Sequence, residues 1–197
     1  MKDLIQKVIN DSISVKQSIL QDEQLLATVE RIVDICTESL RARGKILFAG
    51  NGGSAADAQH LAAELSGRFY IDREPLFAEA LHVNTSYVTA VANDYAYDEI
   101  YARLVRAMGQ PGDVLFAIST SGNSSNIIKA VEAARKIGFT VVAMTGADGG
   151  KLLPLADHLI NIPSKTTPRI QEGHMLLGHL ICELIEEKMF GEAASAV

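Results

Sequence analysis

The apolar residues of this chain recur with two different periods. From residue 44 onward, short continuous apolar runs alternate with longer stretches in which apolar residues recur every three or four positions. Short continuous runs are typical of parallel strands covered on both faces, and the longer stretches are typical of amphipathic helices. The pattern predicts strands near residues 45–49, 77–83, 113–118, 140–145 and 158–162. It predicts helices over residues 54–66, 85–92, 97–108, 124–137 and 168–190.

Two further helices are predicted before this alternation begins, over residues 3–20 and 22–42. The whole pattern predicts an α/β fold: a three-layer, open, parallel five-stranded sheet with helices on both faces, preceded by a helical pair. We expect a single domain over residues 1–197, with an α/β core at 44–190. Amphipathic helices in excess of what a small core needs usually cover a partner subunit. We therefore expect residues 1–43 to serve in packing a homo-oligomer.

Composition narrows the class of protein. The formal net charge of −6 is unlike the basic balance of nonspecific nucleic-acid binders, so no nucleic-acid partner is expected. The two cysteines, Cys36 and Cys182, lie in apolar helical patterns and are interpreted as buried free thiols. The first residues lack the apolar stretch of a signal peptide, and no apolar run approaches the ~20 residues of a membrane span. We expect a cytoplasmic protein without a membrane partner.

Two glycine–serine turns carry the first functional signal. One is Gly50-Asn51-Gly52-Gly53-Ser54, and the other runs from Ser119 to Ser124 as Ser-Thr-Ser-Gly-Asn-Ser. Each follows a predicted buried strand and precedes a predicted helix, so each offers backbone N–H groups, hydroxyls and a helix N-terminus to an anion such as phosphate. Ligands of open parallel sheets bind at the carboxyl ends of the strands, where both turns lie. A third turn at 145–150 is either a flexible connection or part of the same site.

The first turn is not a convincing nucleotide motif. Gly50, Gly52 and Ala55 match the G-x-G-x-x-A dinucleotide fingerprint, but the second predicted strand ends without the acid that should bind the ribose. A nicotinamide-dependent oxidoreductase is therefore disfavoured. The chain also lacks the G-x-x-x-x-G-K-[ST] motif of nucleoside triphosphatases. The four hydroxyls at Ser119, Thr120, Ser121 and Ser124 favour a phosphate cradle over ordinary turn chemistry.

A histidine, a glutamate and a glutamine–histidine pair suggest further chemistry. His60 and Glu64 are four residues apart on one helix face, directly after the first turn. Gln171 and His179 are eight apart on the last helix, about 80° from each other around its axis. Together these four side chains suit zinc or a related divalent ion. The same glutamate and histidine also suit a general base and acid, and both roles stay open.

Taken together, these motifs resemble the sugar isomerase (SIS) family, and within it the phosphoheptose isomerases. The resemblance covers nearly the whole chain and rests on Gly50–Ser54, His60 with Glu64, Arg68, Asn93–Asp94, Ser119–Ser121, Arg169–Glu172 and His179. It implies conversion of sedoheptulose 7-phosphate to D-glycero-D-manno-heptose 7-phosphate, the first step of ADP-heptose synthesis. It also implies a cytoplasmic homotetramer with active sites at subunit contacts.

The resemblance also implies roles for individual residues. Zinc is implied at His60, Glu64, Gln171 and His179. Substrate contacts are implied at Asn51, Gly52, Gly53, Ser54, Glu64, Arg68, Asn93, Asp94, Ser119, Thr120, Ser121, Ser124 and Gln171. Within an enediol(ate) mechanism, Glu64 is expected to be the carbon base and His179 the group that shuttles protons to oxygen. Some family members carry an acid just before the Arg-Ile-Gln segment, where this chain has Thr167-Pro168.

One non-catalytic relative defines the alternative function. An adaptor that binds the bacterial replication initiator resembles the isomerases in both turns and in the Arg-Ile-Gln-Glu segment. It lacks the glutamate at the position of Glu64 and the histidine at the position of His179. This chain has both, so the sequence favours the enzyme over a phosphosugar-binding adaptor.

Overall fold

The computed structural model describes residues 1–194 and contains one five-stranded parallel sheet. The strands are β1 (Ile46–Gly50), β2 (Ala78–Ala80), β3 (Val114–Ile118), β4 (Thr140–Thr145) and β5 (His158–Asn161). Their order across the sheet is β2-β1-β3-β4-β5, and every neighbouring pair is parallel. The predicted fold class is therefore confirmed.

Seven α-helices accompany the sheet in the described part of the chain. They are α1 (Lys2–Gln21), α2 (Glu23–Arg41), α3 (Gly53–Ser66), α4 (Thr85–Asp94), α5 (Ile100–Met108), α6 (Ser125–Ile137) and α7 (Thr167–Ala194). Short 3-10 turns lie at Tyr97–Glu99 and Gly150–Leu152. None of the helices within residues 1–194 has both the length and the apolar character to span a bilayer.

Alternate side chains of the central strands build two separate cores, one on each face of the sheet. On one face Phe48 and Phe116 stack with ring centroids 4.9 Å apart, under α2, α3 and α7. On the other face Leu47 and Leu115 pack under α4, α5 and α6. Because successive strand residues point to opposite faces, a continuous apolar run is what a sheet covered on both sides requires.

The N-terminal helix α1 is mostly uncovered. Ile19 is its one buried residue, whereas Leu4, Ile5 and Ile9 are more than half exposed. Its middle is attached to the start of α7, because Arg169 donates to the Val8 carbonyl (2.7 Å). In this chain α1 therefore presents apolar residues that the other described elements do not cover.

The structure corrects a few boundaries. The second strand covers three residues rather than the predicted 77–83, since Phe77 is exposed and the chain turns away after Leu81. The last helix has 28 residues, against about twenty expected. Cys36 and Cys182 are buried and free, as predicted.

Candidate active site

The two glycine–serine turns lie side by side at the carboxyl ends of the central strands. The first follows β1 and the second follows β3, which are adjacent strands paired in register from Ile46–Val114 to Gly50–Ile118. The chain moves outward in opposite directions on the two sides of this pair, to β2 and to β4. Such a switch point opens a crevice at the carboxyl ends of the strands, which is the usual ligand site of this architecture.

The first turn leaves the start of α3 open to a ligand. Gly52 precedes the first residue of the helix, and no side chain caps this end. Gly52 and Gly53 are exposed, and Asn51 is partly buried beside them. Backbone N–H groups at an uncapped helix N-terminus attract an anion. Ser54, in contrast, is buried, so it is less accessible than the other residues of this turn.

In the second turn, the serine hydroxyls converge. Ser119 Oγ and Ser124 Oγ lie 3.0 Å apart. Ser124 is at the N-cap position of α6, but its hydroxyl makes no capping bond and faces Ser119 instead. Ser121 Oγ accepts from the Asn123 N–H (3.2 Å), and Thr120 is partly exposed. The paired hydroxyls of Ser119 and Ser124 thus lie at the uncapped start of α6, an arrangement that suits a phosphate group.

The third turn, left open by the sequence, supports the second one. The Gly146 N–H donates to the Thr120 carbonyl (3.0 Å), and the Leu152 N–H donates to the Gly122 carbonyl (3.1 Å). Gly122 has a φ of +64°, and a Cβ there would lie 2.1 Å from the Gly149 carbonyl oxygen. A cleft of about 260 Å³ lies between the two turns and includes Lys165. The third turn therefore fixes the shape of the second.

A pair of asparagines joins the first two turns, and sequence reasoning missed it. Asn51 and Asn126 exchange two hydrogen bonds of 2.8 Å each, with Asn126 almost fully buried. Tyr97 donates to Asn51 Oδ1 (3.2 Å), and the buried Tyr101 donates to the Gly50 carbonyl. An asparagine in the first turn of a helix is unremarkable in sequence, so no pattern indicated a contact across 75 residues.

Two histidines and a glutamate meet where α3 packs against α7. The helices run in the same direction and come close because Gly178 lies against Leu61; a Cβ on Gly178 would be 2.7 Å from that side chain. His60 Nε2 lies 3.0 Å from Glu64 Oε1 and 3.0 Å from His179 Nε2. His60 is half exposed and Glu64 about one quarter exposed, so this cluster is open to solvent. Three of the four predicted metal ligands are therefore brought together.

The donor set of this cluster fits a divalent metal ion. Its three ligand atoms lie within 4.8 Å of one another. Two imidazole nitrogens and one carboxylate are common zinc ligands, and tetrahedral zinc at bonds of 2.0–2.1 Å would separate neighbouring nitrogens by about 3.3 Å. The observed 3.0 Å between the histidine nitrogens is close to that spacing. The cluster can hold a metal ion, or it can relay protons among its members.

Gln171 lies at the same α3–α7 interface as the histidine cluster, but nearer to the start of α3. Its amide nitrogen is 2.2 Å from where a Cβ on Gly53 would be, so it packs against the first turn of α3. His60 is seven residues further along α3, which corresponds to about 10 Å of helix. Gln171 therefore lies beside the first glycine–serine turn, and its predicted metal and substrate roles remain predictions.

No sequence pattern indicated a role for Asp57, which lies on α3 between Gly53 and His60. Asp57 lies on α3 one turn before His60, and its Oδ2 is buried without a hydrogen-bond partner among the described residues. Burial raises the pKa of Asp57, and the nearby His60 opposes that rise. The interface between α3 and α7 thus carries an additional polar group beside the cluster.

The other predicted contacts lie at the rim. Arg68 is exposed just after α3, and Asn93 and Asp94 are exposed at the end of α4, where Asn93 Nδ2 donates to Asp94 Oδ1 (2.9 Å). Arg169 and Glu172 bind each other and α1 instead of facing the turns.

The remaining histidine of α7 is structural. His174 is fully buried and bonded to the Thr145 carbonyl (3.1 Å), and burial lowers its pKa to about 4.

The chain is similar to proteins of one family in both sequence and structure. Residues 11–146 match the family model of the SIS domain. The chain is 51% identical over 190 residues to the phosphoheptose isomerase of Aneurinibacillus thermoaerophilus, covering 96% of each sequence. The structure of phosphoheptose isomerase GmhA from Neisseria gonorrhoeae superposes with a TM-score of 0.89 at 43% identity, covering 94% of this chain and 98% of that one. The phosphoheptose isomerase structure from Francisella tularensis gives 0.90 at 35% identity, covering 94% and 97%.

Proposed function

The chain belongs to the SIS-domain family and, within it, to the phosphoheptose isomerases, and from that premise we propose that it converts sedoheptulose 7-phosphate to D-glycero-D-manno-heptose 7-phosphate. The observation that carries this proposal is the meeting of His60, Glu64 and His179, with His60 and Glu64 on the helix that begins at the first glycine–serine turn. The protein is an isomerase, and the heptose phosphate it produces is the precursor from which ADP-heptose is built.

The reaction moves one hydrogen between neighbouring carbons of the sugar. Glu64 removes a proton from the carbon beside the ketose carbonyl, which leaves a cis-enediol(ate), and the proton returns to the adjacent carbon. His179 moves the accompanying proton between the two oxygens. Glu64 and His179 both lie within 3.0 Å of the His60 Nε2, so the proton-transfer groups share one small site, which supports this assignment.

We propose zinc or a related divalent ion as the cofactor, with His60, Glu64 and His179 as ligands. Gln171 is proposed as the fourth ligand, and to reach the ion its side chain would have to turn from Gly53 towards the cluster. When bound, such an ion supplies a Lewis acid that stabilises the negative charge developing on the substrate oxygens. A carboxylate bound tightly to a metal is a weaker base, so the ligand and base roles of Glu64 compete. Elemental analysis combined with activity after chelation tests the cofactor. Full activity in metal-free protein would leave these residues as acid–base groups only.

The turns hold the other end of the substrate. The paired hydroxyls of Ser119 and Ser124 and the open start of α6 support a phosphate site there. Asn51, Gly52 and Gly53 lie between that cradle and the α3–α7 interface, which supports contacts along the sugar chain. Fixing the phosphate sets the distance from the anchored end to the reacting carbons, and such positioning is a large part of catalysis.

The alternative is a phosphosugar-binding adaptor without turnover. Both Glu64 and His179 are present and converge on the same histidine nitrogen, and these are the two residues that the adaptor lacks. An adaptor would bind sugar phosphate without converting it and would capture a protein partner. A pull-down experiment together with the isomerase assay separates the two functions.

The direct test is turnover on a panel of sugar phosphates. Purified protein is incubated with heptulose, hexulose and pentulose phosphates, and the aldose products are quantified. We expect conversion of sedoheptulose 7-phosphate with a higher kcat/KM than for the shorter sugars. No turnover of any heptulose phosphate, with binding intact, would favour the adaptor instead.

We also propose a homotetramer with active sites at subunit contacts. The exposed apolar residues of α1 and the half-exposed His60 support this, because both would be covered in an assembly. Light scattering measures the mass of the assembly, and a monomer at micromolar concentration would contradict the proposal. Cytoplasmic location stays a prediction.

A further inference from the structure

The segment between α3 and β2 runs past the histidine cluster. It begins at Gly67, carries the exposed Arg68, and then places Phe69 with its ring 5.9 Å from the ring of His179. Phe69 is partly buried against the core beneath α3 and α7. Whatever holds this segment therefore also fixes one wall of the proposed active site.

A single buried carboxylate holds the segment. Glu186 on α7 accepts backbone hydrogen bonds from Phe69 (2.8 Å), Tyr70 (2.5 Å) and Ile71 (2.7 Å). Burial by itself raises the pKa of Glu186, but these three N–H groups together with Arg73 outweigh it and leave the pKa below its ordinary value. The side chain is 2% exposed, so a charged carboxylate is kept in the interior by bonds to one short segment.

Arg73 completes the arrangement from the other side. Its Nε donates to Glu186 Oε2 (2.9 Å), and the arginine side chain is also 2% exposed. Its Nη1 donates to the carbonyls of Leu65 (2.8 Å) and Gly67 (3.0 Å), and its Nη2 donates to the carbonyl of Glu64 (3.1 Å). The guanidinium therefore caps the C-terminal end of α3, where carbonyls lack partners within the helix.

One residue of this ion pair contacts the backbone of a proposed catalytic residue, and the other lies on the same helix as the second catalytic residue. Arg73 binds the backbone of Glu64 itself. Glu186 is seven residues after His179, two turns further along the same face of α7. The pair thus ties the part of α3 that carries the base to the helix that carries the proton shuttle.

We infer that Arg73 and Glu186 are positioning residues that set the distance between Glu64 and His179 during catalysis. This inference rests on the proposed function, because it assumes that those two residues perform the proton transfers. A displacement of about 1 Å at a catalytic group is enough to lower turnover as much as 100-fold. Loss of the pair is therefore expected to act on kcat while the phosphate turns, and so KM, stay nearly unchanged.

The test compares two variants of the pair with a matched control. Glu186→Gln keeps the shape of the side chain but removes its charge. Arg73→Lys keeps the charge but cannot reach four carbonyls and a carboxylate together, because lysine lacks the planar fork of arginine. The control is Lys45→Met, which breaks another buried ion pair, that of Lys45 with Asp113. This pair lies at the N-terminal ends of β1 and β3, whereas the turns follow the C-terminal ends of the same strands.

We expect Glu186→Gln to lower kcat about 10- to 100-fold with KM changed by less than about threefold, and Arg73→Lys to retain an intermediate kcat. Lys45→Met is expected to lower the Tm while leaving kcat at the wild-type value. Circular dichroism and Tm identify which variants are folded, and Arg73→Lys supplies the result if Glu186→Gln does not fold.

The outcomes separate this inference from the proposed function. Wild-type protein without turnover contradicts the proposed function. Active wild-type protein, with both pair variants folded and showing wild-type kcat, overturns the positioning role and leaves a purely structural ion pair. A fall in kcat of the same size in Lys45→Met would also overturn it, since the loss would then follow from stability alone.

Discussion

The shape of the second turn depends on one backbone position, and Gly122→Ala tests it. Gly122 has a φ of +64°, in the left-handed region that costs an L-residue about 1–2 kcal/mol. In addition, the new Cβ would lie 2.1 Å from the Gly149 carbonyl oxygen, about 0.9 Å closer than real contacts allow. That neighbour is backbone of the third turn, so no side-chain rotation relieves the contact.

The matched control is Gly112→Ala. Gly112 also has a positive φ, +87°, but a Cβ there meets nothing within 4 Å, and it precedes β3 at the other end of the sheet. The two variants share the backbone strain and differ in the clash, which adds about 1–3 kcal/mol of overpacking. For a chain of this length the Tm of Gly122→Ala should fall about 2–12 °C further than that of the control.

The functional effect should be confined to the variant near the cradle. Moving the second turn away from the third displaces Thr120 and Ser121, and a lost hydrogen bond to a charged group costs about 1.5–3 kcal/mol, or about 10- to 100-fold in KM. Initial-rate kinetics with sedoheptulose 7-phosphate and thermal melts at one protein concentration measure both effects. If Gly122→Ala keeps the KM of the wild type while its Tm falls, the second turn does not hold the phosphate.

Three further predictions concern buried groups around the site. Burial holds the pKa of His174 at about 4, below the ordinary 6.5, so the unfolded chain binds the extra proton first. The contribution of neutral His174 to the free energy of unfolding should therefore be fully present above pH 6.5, and up to about 3 kcal/mol of it should be lost as the pH falls from 6.5 to 4. Urea titrations across this range should show a smaller pH dependence in His174→Gln. An unchanged pH dependence would exclude this histidine as its source. Asn126→Ala removes both bonds to Asn51, so denaturant titration should show a loss of about 1–3 kcal/mol, together with a higher KM; an unchanged KM would mean that the pair does not orient the first turn. Tyr101→Phe leaves one buried carbonyl of that turn unpaired and should cost about 1–3 kcal/mol by the same measurement, against no loss if water replaces the hydroxyl.

The layered fold could be predicted from sequence because the faces of a helix or strand that are buried determine how often apolar residues recur along it. Strands β1, β3 and β4 are covered on both faces, so their apolar runs are continuous and their predicted bounds agree with the structure to within one residue. The second strand is at the sheet edge and has three residues, which is too short for a pattern to define. The turns were predictable for the same local reason, since glycine and serine cluster where a strand ends.

The long-range side-chain pairs could not be predicted in this way. Helical periodicity gives the angle of a residue around its own helix, but it does not say which residue of a neighbouring helix it will contact. Gln171 and His179 therefore share a side of α7 while one packs at Gly53 and the other meets His60. Glu186 has no distinguishing pattern among the acidic residues of α7, and its partners lie more than 110 residues earlier in the chain.

Glu64 and His179 are proposed to perform the proton transfers of the isomerisation. The most direct measurement is kcat for sedoheptulose 7-phosphate in folded Glu64→Gln and His179→Ala protein, with substrate affinity measured separately. Loss of a positioned acid or base is expected to lower kcat about 10²- to 10⁴-fold. We expect such a loss in both variants with binding retained, and near-wild-type rates in both would contradict these catalytic roles.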